Sequence, residues 1–230
     1  MFLAVLIGAL TLGVQHSAYA ITIQLSDGAA PPVTCADGDA CDSNPIVGAV
    51  TFIGSVGNFV LNVSTAITYP VLGSAGFGII DLNSVNVTSN AGGELTLLAS
   101  EANFTGPIIG GTAPFIFSVV GGTAGTANFA AFLDDNNALF GMTSSLGTLG
   151  PFGGAFSGTT EGIAIAAAPF SLTTKAVFEH PGGFPSVSFS HASLTATPEP
   201  ASLLLLGSGL MGLGLLGRKR FRLVKPRHQP

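Results

Sequence analysis

SVSFSHASL, residues 186–194, alternates its side chains with a period of two, Val187 and Phe189 against Ser186, Ser188 and Ser190. Successive side chains of an extended chain point to opposite faces, so the pattern is that of a half-buried strand. It predicts a strand over 186–196 with Phe189 packed in the core. His180-Pro181-Gly182-Gly183 stands before it as a turn, and 171–179 (SLTTKAVFE) is a further run suited to a strand.

The same scheme of extended run and turn repeats back along the chain. Candidate strands are 21–25, 47–54, 58–68, 77–88, 93–102, 114–120, 127–133 and 155–166, rich in Val, Ile, Thr and Phe. Ala91-Gly92-Gly93, Val120-Gly121-Gly122 and Asp134-Asp135-Asn136-Asn137 read as turns between them. Little helical periodicity interrupts the series. An all-β body follows, an antiparallel β-sandwich or jelly roll. Phe59, Phe77, Phe115, Phe117, Phe178 and Phe189 are its expected core aromatics. The glycine-rich stretch 141–158 reads as a loop over a sheet edge.

Charge is scarce and segregated. Only 8% of the 230 residues are charged, against roughly 25% in an ordinary soluble protein. Six of the seven basic residues fall in the last thirteen positions, so 21–197 holds Lys175 alone against eleven carboxylates. A nucleic-acid surface needs cations to neutralise phosphates, and this body has none to spare. Nucleic acid is excluded as a partner.

The two ends differ from the body. Residues 1–20 (MFLAVLIGALTLGVQHSAYA) are apolar from Phe2 to Val14, and Ala18-Tyr19-Ala20 has the small-x-small form of a signal-peptidase site. Export is the expectation, with signal peptidase as a partner and a mature start at Ile21. At the other end 201–217 carries no charge and meets the lower length limit for a membrane-spanning helix. Arg218, Lys219 and Arg220 follow it as a membrane stop, with 218–230 as a basic cytoplasmic tail. The inner membrane is thus the expected transient partner of the precursor.

Pro198-Glu199-Pro200, the Leu/Gly-rich run and the Arg/Lys cluster stand in one order at the end of the chain. That order resembles the PEP-CTERM sorting signal of exported bacterial proteins. The resemblance implies recognition at Pro198, Glu199 and Pro200 by a sortase-like membrane transpeptidase. It further implies delivery of the body to the cell surface or exterior, and a setting of exopolysaccharide and biofilm matrix.

Within the body, Cys35 and Cys41 are the only cysteines, and in an exported chain they are expected to form a disulfide. Asp37, Asp39 and Asp42 crowd the same loop. Their spacing admits calcium as a cofactor, although a solvated acidic turn explains them as well. No GxSxG, HExxH or phosphate-binding loop occurs, and no catalytic residue is assigned. The expected function is a non-enzymatic surface or matrix protein associated with exopolysaccharide. A glycan- or calcium-binding adhesion module is the alternative, and a secreted hydrolase stands third. An exposed aromatic groove would mark the glycan binder.

Overall fold

The computed structural model describes residues 21–197 and 206–214. The expected signal segment 1–20, the sorting residues Pro198, Glu199 and Pro200, and the membrane stop Arg218, Lys219 and Arg220 lie outside the described residues.

Ten strands form the body: β1 (Thr22–Ser26), β2 (Val33–Ala36), β3 (Ala49–Val56), β4 (Phe59–Ile67), β5 (Ile79–Ser89), β6 (Gly93–Phe104), β7 (Thr112–Asp134), β8 (Ser144–Ile165), β9 (Phe170–His180) and β10 (Ser186–Ala196). All pairings are antiparallel, in the order β2-β1-β6-β9-β7-β10-β5-β4-β3, with β8 on the other side of β7.

β7 joins the two limbs of this path. Its first part, through Thr123, pairs with β10, and its second part, from Thr126, pairs with β9. Gly125 sits at the change of partner, where a Cβ would collide with the Glu179 carbonyl. The limbs fold face to face over one core. Phe115 of the first part meets Phe170 of β9 edge-on, with ring centroids 6.5 Å apart, and Phe59 of β4 meets His180 of β9 at 5.5 Å. Phe59, Phe104, Phe115, Phe117, Phe170 and Phe178 are fully buried, each worth about 1.5–3 kcal/mol relative to exposure.

Several expectations require correction. The segments 114–120 and 127–133 are one strand. The stretch 141–158 belongs mostly to β8, whose glycines let backbone approach backbone. A Cβ on Gly162 would strike the Leu146 carbonyl, and Gly158 lies under Leu149 and Phe152. Phe77 is only partly buried at the edge of the core.

The membrane-spanning helix expected over 201–217 is also corrected. The helix described there covers 206–214, a rise of about 13 Å against roughly 30 Å of hydrocarbon. Gly207, Gly209, Gly212 and Gly214 fall inside it, and glycine is a poor helix former. Among the described residues no helix is long and apolar enough to cross a membrane.

The opposite margin of the sandwich is closed by the cysteine loop. Cys35 and Cys41 are disulfide-bonded, with Cα atoms 5.9 Å apart. Beyond the bond, Asp42 bridges to Phe52 of β3, Ser43 donates its N–H to the Thr51 carbonyl (2.9 Å), and Thr51 donates its N–H to Asp42 Oδ1 (2.8 Å). A loop rooted in β2 thereby reaches β3, at the far end of the pairing order.

Candidate functional site

β10 decides where the site lies. Ser186, Ser188 and Ser190 are buried together with Ala192, Leu194 and Ala196, while Val187 and Phe189 are exposed, Phe189 to 57%. The expectation of a buried Phe189 is therefore reversed. Alternation along β10 is unbroken, so Leu194 and its even-numbered partners fix which face points inward. Of these serines Ser188 is hydrogen-bonded inside, whereas Ser186 Oγ and Ser190 Oγ have no hydrogen-bond partner among the described residues. Ser188 Oγ lies 2.7 Å from His180 Nε2 and 2.7 Å from Thr123 Oγ1. Burial holds His180 below the usual imidazole value, which keeps it neutral near pH 7. This histidine–serine pair is buried, and among the described residues His180 Nδ1 has no hydrogen-bond partner, so no described carboxylate orients the ring as in a catalytic triad.

On the outer face, Phe189 leans over Gly122, its cross-strand neighbour on β7. A Cβ on Gly122 would stand 2.8 Å from the ring's Cζ. Glycine therefore lets the ring lie close to the sheet, an arrangement in which an aromatic covers a bare backbone. The ring borders an open groove of about 520 Å³, lined also by Asn62, Asn83, Asn86, Val120 and His191. A second depression of about 430 Å³ shares Val120 and His191 and continues past Ser118, Ser157 and Thr159.

Two irregularities aim the amides into this groove. The pairing of β5 with β10 slips between Ser190 and Ala192, placing Asn83 and Ser84 opposite His191, with Ser84 at φ 56°. The pairing of β4 with β5 slips between Leu61 and Val63, at Asn62. Bulges of this kind redirect side chains without breaking the sheet. Asn62 Nδ2 donates to Asn86 Oδ1 at 2.9 Å, and Ser84 Oγ donates to Asn83 Oδ1 at 2.6 Å. His191 Nε2 lies 2.8 Å from Asp81 Oδ1. Ser118 and Thr159 hydroxyls are 3.1 Å apart further along. One aromatic face ringed by amides, hydroxyls and an imidazole suits a ligand with an apolar face and a polar rim.

The acidic loop is arranged differently. Asp39 Oδ2 accepts the Ala36 N–H (2.9 Å), Asp42 Oδ2 the Gly38 N–H (3.1 Å), and Asp37 Oδ2 the Gly48 N–H (2.7 Å). These carboxylates cap backbone donors of the loop and of the approach to β3. Among the described residues no group of three or more His, Cys, Asp or Glu is placed to hold a metal ion.

One more titratable group is enclosed. Glu101 of β6 is fully buried, its Oε1 accepting the Ala102 N–H at 3.0 Å and its Oε2 without a partner among the described residues. Burial, reinforced by the charge of Asp37 and opposed by the Ala102 hydrogen bond, pushes its carboxyl up to about 8. The Tyr69 hydroxyl, which donates to the Ala102 carbonyl at 3.0 Å, is raised to about 12 by burial and by Glu101.

Compared with known proteins, residues 196–220 match the PEP-CTERM protein-sorting motif. No curated protein matches the chain in sequence. Among solved structures, the chain is similar to the C-terminal carbohydrate-binding module of a laminarinase from Zobellia galactanivorans. That likeness has 14% identity and TM-score 0.28, covering 50% of this chain and 90% of the other. An adhesin domain of Lys-gingipain from Porphyromonas gingivalis is similar at 12% identity and TM-score 0.29, covering 48% of this chain and 73% of that one. A carbohydrate-binding module in complex with β-1,4-galactotriose gives 8% identity and TM-score 0.31, covering 57% and 87%. At scores this low the likenesses carry nothing about the site.

Proposed function

We propose that this chain is an exported, surface-destined protein whose body binds polysaccharide in the groove beside Phe189. The observation that carries the reading is that exposed ring, held over Gly122 and ringed by Asn62, Asn83, Asn86 and His191. A sugar presents an apolar C–H face and a rim of hydroxyls, and the groove offers a complement to each. The sorting motif at 196–220 supports export and a cell-surface destination. It also supports processing by a sortase-like transpeptidase at Pro198, Glu199 and Pro200, after removal of 1–20 by signal peptidase. The body, 21–197, would then be the working part, and adhesion to matrix polysaccharide its task.

Affinity electrophoresis of the full chain through gels containing soluble β-glucan, galactan, mannan or the producing cells' own exopolysaccharide tests the reading. Retardation in at least one gel, lost in Phe189→Ala, is the expected result. Phe189 is exposed, so the substitution leaves the core intact. Equal mobility of the two proteins in every gel refutes it.

A further inference from the structure

We infer that the ligand of this groove is an uncharged polysaccharide, bound along an internal stretch of its chain; the inference rests on the glycan reading above. Two independent features of the body support it.

The first is charge. From 21 to 197 the chain holds eleven carboxylates and one lysine, a formal charge of −10. An acidic glycan approaching it meets repulsion at long range and needs a fixed cation at contact. Among the described residues the groove supplies none. Its lining there is Asn, Ser, Thr, Val, Gly and Phe with one imidazole, His191, which is already against the Asp81 carboxylate. Lys175 lines a separate depression with Asn128, Phe132 and Val177, beside the second part of β7. A uronate or sulfate ester in the Phe189 groove would lose water and find no counter-charge, a costly exchange. Amide and hydroxyl groups, which both donate and accept, match neutral hydroxyls without that cost.

The second feature is shape. Both depressions are open, and they share Val120 and His191, so they form one trough. It crosses the strands from Asn62 on β4 to Thr159 on β8, over β5, β10 and β7. Four strand spacings give a length of roughly 19 Å, longer than a single sugar ring. A trough open to solvent and longer than one ring can take a segment in mid-chain, where an enclosed pocket would suit a chain terminus instead.

Isothermal titration of the full chain with soluble uncharged β-glucan, galactan, mannan and dextran, beside alginate and polygalacturonate, separates the outcomes. Expected is binding of one or more uncharged polymers, unchanged between 50 mM and 500 mM NaCl and weakened at least tenfold in Phe189→Ala. Affinity for that polymer should rise from its monosaccharide to its oligosaccharides. Binding confined to alginate or polygalacturonate, lost in high salt or in Lys175→Ala, overturns the inference while leaving a glycan-binding protein. A monosaccharide binding as well as its polymer overturns the mid-chain part. No heat with any polymer, in a chain that melts cooperatively, brings down the glycan reading itself.

Discussion

Replacing Glu101 by Gln should abolish a fall in stability with rising pH. The carboxyl is fully buried with Oε2 unpartnered, and its value is raised to about 8. An unfolded glutamate titrates near about 4.3. Between those values the folded chain holds a proton that the unfolded chain has released, so stability present below the unfolded value is lost as pH rises through the folded one. The slope is about −1.4 kcal/mol per pH unit, and the whole window amounts to on the order of 5 kcal/mol. His180 acts in the opposite sense: its lowered value leaves the unfolded chain the more protonated at acid pH, so its contribution to stability rises with pH until the usual imidazole range near about 6.5 is passed. Above that pH its contribution is flat, and Tyr69, at about 12, does not titrate there. From pH 6.5 to 8 the native protein should therefore lose about 2 kcal/mol of unfolding free energy. Glu101→Gln keeps an acceptor for the Ala102 N–H and cannot ionise, so its profile should be flat over the same range. Urea unfolding followed by circular dichroism at half-unit steps of pH measures both. Parallel profiles for the two proteins would refute the assignment of a protonated, buried carboxyl.

The remaining expectations concern the groove and the staple. Gly122→Ala fits the backbone, since no positive φ is present there, but its Cβ displaces the Phe189 ring. It should weaken polysaccharide binding severalfold while the melting midpoint moves by only a few degrees; an unaltered affinity would show that the ring's seat does not matter. Replacing Cys35 and Cys41 together by Ser releases a short loop whose closure is worth about 2 kcal/mol on a chain-entropy estimate. Chemical denaturation should register that loss, and a stability equal to the native protein's would mean that the Asp42 and Ser43 contacts hold the margin unaided.

Much of the sheet is legible in the sequence because extended runs and turns are local signals. β4, β5, β6, β9 and β10 fall within a few residues of the runs that announce them. β2, only Val33–Ala36, is too short to show a period. β7 conceals its unity because Val120-Gly121-Gly122, just before the change of partner near Gly125, reads as a turn. β8 conceals itself further: its glycines serve contacts with distant backbone, which local propensity counts against a strand. The alternation in 186–190 identifies a strand but points to the wrong face. Local hydropathy favours Val187 and Phe189 inward, whereas Leu194, in unbroken register, turns the serines in. The exposed aromatic face is thus hidden in the stretch that looks most like core. The groove has no linear signature, because Asn62, Asn83, Phe189 and Ser157 come from four strands and meet only through pairing.

β10 is the last strand of the body, and it lies between β7 and β5 with both edges bonded. Thr197, just beyond it, donates its N–H to the Pro114 carbonyl at the start of β7. A pull on the chain from the sorting end therefore enters along the axis of a central strand. Its hydrogen bonds to two neighbours are then loaded in shear together, where an edge strand peeled from its end would lose them singly. Were the body to grip a polymer as proposed while held from that end, the load would pass through the strand that bears Phe189, and tension and adhesion would share one element.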